Sequence, residues 1–244
     1  MLNLINKIIH GDCLIEMQKI EDKSIDMILC DLPYQITGQL WDKIIPFELL
    51  WKEYKRIIKD GGAILLTARE PFTSLLVTSN IKEYKHKWVW NKKQSGSPHL
   101  AKYMPLQIDE DIICFCNGVV NYYPKMRKGK MRKRGGMKMG SRIQGDGDGL
   151  KAGFENYSDL YFPTNIIDLV NPRRYKLHPT QKPVKLFEYL IETYTKEKEL
   201  VLDNCAGSGT TGLACKNLNR QFILIEKEDE YYNIILKRLN CKIQ

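Results

Sequence analysis

No apolar run in this chain approaches the ~20 residues needed to cross a bilayer. The opening Met1-Leu2-Asn3-Leu4-Ile5-Asn6-Lys7 has neither the basic start nor the long apolar stretch of a secretory signal, so a cytoplasmic protein without membrane contact is expected. Paired CxxC spacing is also missing. The seven cysteines, at positions 13, 30, 114, 116, 205, 215 and 241, are scattered mostly among apolar neighbours, which argues against a zinc site and for reduced core thiols. Histidine is scarce: His10, His86, His99 and His178 stand at no metal-ligand spacing, and no metal is expected. Acidic residues are absent from 125–142, where KMRKGKMRKRGGMKMGSR carries nine Lys or Arg, equal to the whole formal excess of +9. A solvated loop and a polyanion-binding surface both explain such a run, and its interior position favours a partner.

What is present is globular. Hydrophobic residues make up 43% of the 244, enough for one main core, and short apolar runs alternate with amphipathic stretches over 1–117. This is the pattern of strand and helix units around a largely parallel sheet. Strands are expected at 7–10, 26–30, 63–67, 86–91 and 111–117. A helix starting near Pro46 is stopped by Lys59-Asp60-Gly61-Gly62. From 118 to 177 the texture turns to Gly, Lys, Arg, Asn and Asp with poor apolar periodicity, and reads as a loop-like insertion. The first pattern resumes over 178–244, with helices near 184–195, from 210 and near 228–239, and strands at 200–204 and 222–226. A main domain formed by 1–117 and 178–244, interrupted by 118–177, follows.

Leu200-Val201-Leu202-Asp203 is an apolar strand ending in an acid, followed by Ala206-Gly207-Ser208-Gly209-Thr210-Thr211-Gly212 and a helix start. Glycines there permit a tight turn and close backbone approach, and the helix start offers free amide donors. Glu226 ends the next strand, where a carboxylate can accept from ribose hydroxyls. Read literally, Gly207-x-Gly209-x-x-Gly212 fits a dinucleotide fingerprint, so it does not separate a nicotinamide enzyme from one using another adenosine cofactor, nor by itself from an empty turn. Asp203 suits a cationic amino group better than a pyrophosphate, which it would repel.

Ser24-Ile25-Asp26-Met27-Ile28-Leu29-Cys30 is a buried-strand pattern that delivers Asp31-Leu32-Pro33-Tyr34 to its C-terminal end, the ligand-binding edge of open α/β sheets. Pro33 fixes its own φ and restricts Leu32. The Asp31 carboxylate and the neighbouring carbonyls thereby form a rigid arc able to accept both hydrogens of an amino group, and Tyr34 can stack on a flat base. Alone, the segment reads first as a Pro turn with a core tyrosine.

Taken with His178-Pro179-Thr180-Gln181-Lys182-Pro183 and Asp203 through Gly209, Asp31-Leu32-Pro33-Tyr34 resembles the motifs of the DNA amino-methyltransferases, in the order of their beta class. That resemblance implies a Rossmann-like α/β fold with a largely parallel seven-stranded sheet and helices on both faces. It implies S-adenosylmethionine as cofactor and DNA as substrate, with 118–177 as the target-recognition region. It places Asp31, Leu32, Pro33 and Tyr34 at the target amine. Asp12, Cys13, Thr180, Gln181, Lys182, Asp203, Cys205, Gly207, Ser208, Gly209, Thr210, Thr211 and Glu226 fall to the cofactor. DNA contact is expected from Lys125, Arg127, Lys128, Lys130, Arg132, Lys133, Arg134, Lys138 and Arg142, with phosphates as the main target. Arg127, Arg132, Arg134, Arg142, Arg173 and Arg174 are candidates for guanine edges, with phosphate contact the expected role for each. Two departures stand out: Leu32 replaces the usual first proline of Asp-Pro-Pro-Tyr, and Asn204-Cys205 replaces a common Pro-Phe.

The Asp-first motif leans towards N6 of adenine over N4 of cytosine. Structured RNA as substrate, a homodimer and a restriction endonuclease partner stay open. A nicotinamide oxidoreductase would leave Asp31-Leu32-Pro33-Tyr34 and the basic run unexplained. A noncatalytic nucleic-acid-binding module would need neither an amine grip nor a cofactor loop.

Overall fold

The computed structural model describes residues 4–35, 39, 42–95, 98–134, 156–171 and 181–240. In chain order the elements are β1 (Lys7–His10), α1 (Cys13–Glu16), β2 (Ile25–Cys30), α2 (Phe47–Ile57), β3 (Ile58–Ala68), α3 (Phe72–Ser79), β4 (Tyr84–Asn91) and β5 (Asp109–Phe115). They continue with β6 (Arg127–Arg134), β7 (Asn156–Tyr161), β8 (Ile166–Asp168), α4 (Val184–Tyr194), β9 (Leu200–Asp203), α5 (Thr210–Asn217), β10 (Gln221–Glu226) and α6 (Asp229–Asn240). None of the described helices is long and apolar enough to cross a membrane.

Among the described residues, eight strands form the main sheet, in the order β1-β10-β9-β2-β3-β5-β4-β8. All neighbours are parallel except β3 with β5 and β5 with β4. The expected count of seven is thus one short: Ile166–Asp168 pairs with Val89–Asn91 as an eighth strand. A three-residue edge strand is too short to leave an alternation in the sequence, and this one lies in the stretch read as loop. A second difference is at β3, which starts directly after α2. The expected stop at Lys59-Asp60-Gly61-Gly62 is absorbed as an irregularity against β2, where pairing jumps from Ile25 with Ile58 to Met27 with Ala63. Gly61 has φ +75, a conformation that glycine enters without a Cβ penalty.

Buried parallel strands are apolar on both faces, and the side-chain alternation of period two splits them between two cores. Ile28, Cys30, Ile64, Leu66, Leu202 and Ile225 pack with Leu50, Trp51, Tyr54 and Ile57 of α2 and with Phe72 and Leu76 of α3. Met27, Leu29, Ala63, Leu65, Val201 and Leu224 pack with Leu186, Leu190 and Ile191 of α4, Ala214 of α5, and Ile235 and Leu239 of α6. Helices therefore cover both faces. The described cysteines are unpaired thiols; Cys13, Cys30, Cys114, Cys116 and Cys215 are buried and Cys205 is partly so.

The chain divides into two compact units, Met1–Tyr123 with Asn165–Gln244, and Pro124–Thr164. The smaller unit lies inside the 118–177 stretch. It is not loop alone: β6 and β7 pair antiparallel, Arg127 with Tyr161 and Arg132 with Ser158. Strands built from Arg, Lys and Gly carry no apolar alternation, which is why the sequence pattern conceals them.

Candidate active site

In a parallel sheet the strand ends line up, and the order β1-β10-β9-β2 sets four acids along one edge. Asp12 follows β1, Glu226 ends β10, Asp203 ends β9 and Asp31 follows β2. The antiparallel neighbours bring Glu110 at the start of β5 and Lys92 after β4 to the same edge, because Ala68 pairs with Asp111 and Trp90 with Glu110.

At the Asp31 end, the Tyr34 hydroxyl donates to Asp31 Oδ1 at 2.7 Å and the Thr67 hydroxyl donates to the same oxygen. The two hydroxyl oxygens lie 2.6 Å apart. Each carries one proton, so only two of the three contacts in this triangle are hydrogen bonds at a time. Lys182 Nζ donates to Asp31 Oδ2 at 2.7 Å and lies 3.3 Å from Glu110 Oε2. Lys92 Nζ donates to Glu110 Oε1 at 3.0 Å. The Tyr34 ring stacks on Phe72, with centroids 5.0 Å apart. Leu32 is buried in the core that α2 and α3 share, so its side chain substitutes for the usual proline by packing.

Lys182 is only 6% exposed. Burial pulls its ammonium down, but the Asp31 and Glu110 carboxylates outweigh that and hold it above the ordinary lysine range. Burial pushes Glu110 up, yet Lys182 and Lys92 together hold it below the usual carboxylate value. Tyr34 is raised by burial first and by the adjacent Asp31 second.

The other end is built on the loop between β9 and α5. Gly207 and Gly209 have φ +53 and +78, left-handed conformations that cost other residues roughly 1–2 kcal/mol. A Cβ on Gly209 would also press on Ile235 at 3.0 Å. Glu226 Oε2 accepts from Gly207 N at 2.6 Å and Oε1 from Glu228 N at 2.9 Å. The Lys227 backbone donates to the same carboxylate, so about one of its four acceptor sites remains for a ligand hydroxyl. Asp203, 3% exposed, accepts from the Thr211 hydroxyl at 2.5 Å and from Cys205 N at 3.1 Å. Burial raises its carboxyl to about 7 against these two bonds and a third from the Cys30 thiol. Asp12 caps α1, accepting from Leu14 N at 2.9 Å. An open acceptor site on Glu226, a buried Asp203 with no cationic partner among the described residues, and glycine turns that let a ligand approach the backbone fit the ribose and amino group of S-adenosylmethionine.

The expected residues fall into two groups. Asp12, Asp203, Gly207, Ser208, Gly209, Thr210, Thr211 and Glu226 gather around the β9–α5 loop and its neighbouring strand ends. Gln181 joins them through its Oε1, which accepts from the Ser208 hydroxyl at 3.2 Å. Cys13 and Cys205 pack on the core beneath. Lys182, expected on the cofactor side, sends its ammonium to Asp31 instead and offers the loop only its carbonyl, 3.5 Å from Thr210 Oγ1. Thr180, Lys138, Arg142, Arg173 and Arg174 lie outside the described residues, as do the side chains of Lys133 and Arg134.

Sequence reasoning missed Thr67, Glu110, Lys92 and Arg238. Arg238 Nη1 ties α6 to the loop, donating to Ser208 O at 2.8 Å. The three acids Asp109-Glu110-Asp111 at the mouth of an apolar strand were the one hint of Glu110. In the smaller unit, Tyr161 lies over Gly129, where a Cβ would come within 2.6 Å of the ring, and donates to Lys130 O at 2.8 Å. The Arg132 guanidinium sits 5.3 Å from the Tyr161 ring centroid.

A family model described as DNA methylase, covering the N6 and N4 methyltransferases, matches residues 25–237. The DNA adenine methyltransferase YhdJ of Escherichia coli (strain K12) is 29% identical over 250 residues, 96% of this chain and 82% of YhdJ. The crystal structure of the M1.HpyAVI–SAM complex superposes with a TM-score of 0.64 at 26% identity, covering 96% of this chain and 99% of that one. The cytosine-N4-specific PvuII DNA methyltransferase shares the fold, with a TM-score of 0.68 at 17% identity over 98% of this chain and 88% of its own. With a cofactor-type loop and an Asp-x-Pro-Tyr strand end on one sheet edge, the chain belongs to the N6/N4 DNA methylase family, as an S-adenosylmethionine-dependent DNA methyltransferase of the beta class.

Proposed function

We propose that the amine methylated is N6 of adenine, and that Asp31 receives it. The observation that carries this reading is the Asp31 carboxylate, held by three donors at the end of β2 on the edge that also carries Asp203 and Glu226. The Asp-first motif and the adenine activity in the name of YhdJ favour adenine over cytosine. Mass spectrometry of nucleosides from DNA treated with the protein and labelled cofactor tests it. N6-methyladenine is expected; N4-methylcytosine as the main product would overturn the choice of base.

The cofactor supplies an electrophilic methyl group on a sulfonium, so the enzyme's own residues have chiefly to position the amine. The amine lone pair is delocalised into the ring. Asp31 accepts one of its hydrogens and the Leu32 or Pro33 carbonyl the other, which draws the nitrogen towards tetrahedral geometry and frees the lone pair. Tyr34, backed by Phe72, stacks on the extruded base. Asp203 would hold the cofactor amino group and Glu226 the ribose, beside the 207–211 loop. After transfer the proton passes to Asp31 or, with its help, to water.

DNA affinity comes from the basic strand β6 and Lys125 just before it, through phosphate contacts by Lys125, Arg127, Lys128, Lys130 and Arg132. Arg127, Lys128, Lys130 and Arg132 are exposed. Replacing Lys128 and Lys130 by Gln is expected to weaken binding to unrelated duplexes alike. It should also reduce the slope of log affinity against log salt by about 0.9 for each phosphate no longer neutralised. Fluorescence anisotropy at several salt concentrations checks this; weakening confined to one sequence would mean base reading instead.

A further inference from the structure

We infer that Lys182 and Glu110 are positioning residues for methyl transfer, a charge chain anchored by Lys92 that fixes the Asp31 carboxylate for the incoming amine. This rests on Asp31 being the amine acceptor.

Lys182 stands in the segment that passes the cofactor loop, and a cofactor-binding lysine there would point its ammonium at that loop. It does not: the ammonium is on Asp31 Oδ2 at 2.7 Å, and only its backbone carbonyl faces Thr210. A buried ammonium must be matched by charge and hydrogen bonds to be tolerated. Asp31 supplies one partner and Glu110 Oε2, 3.3 Å away, the other. The Glu110 contact is one of charge, because Oε2 has no aligned hydrogen bond. Glu110 is itself fixed by Lys92 on its other oxygen. The chain Asp31, Lys182, Glu110, Lys92 alternates in sign and sums to zero, as a partly buried cluster requires.

The consequence for the reaction follows from counting acceptor sites. When Tyr34 and Thr67 both donate to Oδ1 and Lys182 takes one site on Oδ2, three of about four sites on the carboxylate are filled by the protein. One remains, and its direction is set by the other three. One amine hydrogen fills it, leaving the second for the backbone carbonyl. Without Lys182 the carboxylate is free to turn about its bond to Cβ, and the remaining site loses its aim. Glu110 keeps the ammonium from following the carboxylate by pulling from the opposite side.

The test uses Lys182→Met, Glu110→Gln and the double variant, with two measurements each: single-turnover methyl transfer at saturating cofactor and DNA, and the Kd of S-adenosylhomocysteine. Lys182→Met is expected to slow transfer at least about tenfold and Glu110→Gln about three- to tenfold, with Kd within about threefold of the parent in both. Adding Glu110→Gln to Lys182→Met should cost no more than about twofold further, since Glu110 acts through Lys182. A Kd raised more than tenfold with transfer unchanged would overturn the inference and make Lys182 a cofactor contact. A fully additive double variant would overturn the role of Glu110. Should Lys182→Met fail to bind S-adenosylhomocysteine at all, Glu110→Gln decides: slowed transfer at unchanged Kd supports the chain and normal transfer refutes it. Failure of the underlying reading shows separately, as normal transfer by an Asp31→Asn protein.

Discussion

Asp31→Asn is expected to slow methyl transfer by about 10²–10³-fold while leaving the affinity for S-adenosylhomocysteine within about threefold of the parent. The change is nearly isosteric, so the loss traces to chemistry and not to a hole. Three donors converge on the two Asp31 oxygens. An amide has one oxygen and one donor NH2: its oxygen must face the donor-only Lys182 ammonium, which turns the NH2 to the Tyr34 and Thr67 hydroxyls, where it donates and the hydroxyls accept. The acceptor arc then opens, and the Lys182 ammonium keeps Glu110 as its sole carboxylate neighbour of the pair it has now. Breaking a buried ion pair from one side costs several kcal/mol, roughly 3–5 where both partners are fully buried. Asp31 is partly exposed, so a smaller share of that reaches the melting temperature. Rapid-quench single turnover and calorimetric titration with S-adenosylhomocysteine separate the two effects. Transfer within threefold of the parent would remove Asp31 from the reaction.

The second large effect concerns acidity at the cofactor end. Burial raises Asp203 to about 7, so the cofactor-free protein holds a proton there at mildly acidic pH. A cationic amino group beside it favours the carboxylate, and binding below pH 7 must expel that proton. Affinity for S-adenosylhomocysteine is therefore expected to fall as pH drops below about 7, by up to tenfold per unit, and to level off above it. Glu226 is also raised by burial and adds to the slope in the same direction. Asp203→Asn should flatten most of the dependence and weaken binding by about 10–100-fold at pH 8, the loss of one charge-assisted contact. The same shift bears on stability. The folded value lies above the ordinary 3.8, so the folded chain without cofactor binds more protons than the unfolded one between about pH 4 and 7. That contribution to stability is present below about pH 4 and is lost as pH rises towards 7. Titrations from pH 5.5 to 8.5 with both proteins check the affinity; a flat profile for the parent would show that Asp203 is ionised before the ligand arrives.

Much of this site can be read from single segments. Leu200-Val201-Leu202-Asp203 and Phe222-Ile223-Leu224-Ile225-Glu226 announce themselves because strands buried on both faces are unbroken apolar runs, and an acid at the end of such a run is conspicuous. Asp31 is visible for the same reason, helped by Pro33. Partners that come from elsewhere in the chain are not visible. Lys182 meets Asp31 across 151 residues, and its own segment resembles a cofactor motif, so its backbone place was legible and the direction of its ammonium was not. Thr67 looks like one more residue of a buried strand. Glu110 becomes meaningful only once β5 runs antiparallel between β3 and β4 and turns its start to the same edge. The hairpin of β6 and β7 hides for the opposite reason, having no apolar pattern at all.

The order β1-β10-β9-β2 also sets a schedule for synthesis. β1 has β10 as its sheet neighbour, and β2 needs β9 on one side, so the first strands off the ribosome wait for the last ones. β2 presents an unpaired edge until about residue 203 is out and β1 until about residue 226, and contacts this distant in sequence form slowly. Asp31, made early, lacks Lys182 for most of that interval. A nascent chain therefore carries the reactive carboxylate without the means to aim it, and competence arrives in one step when the final strands close the sheet.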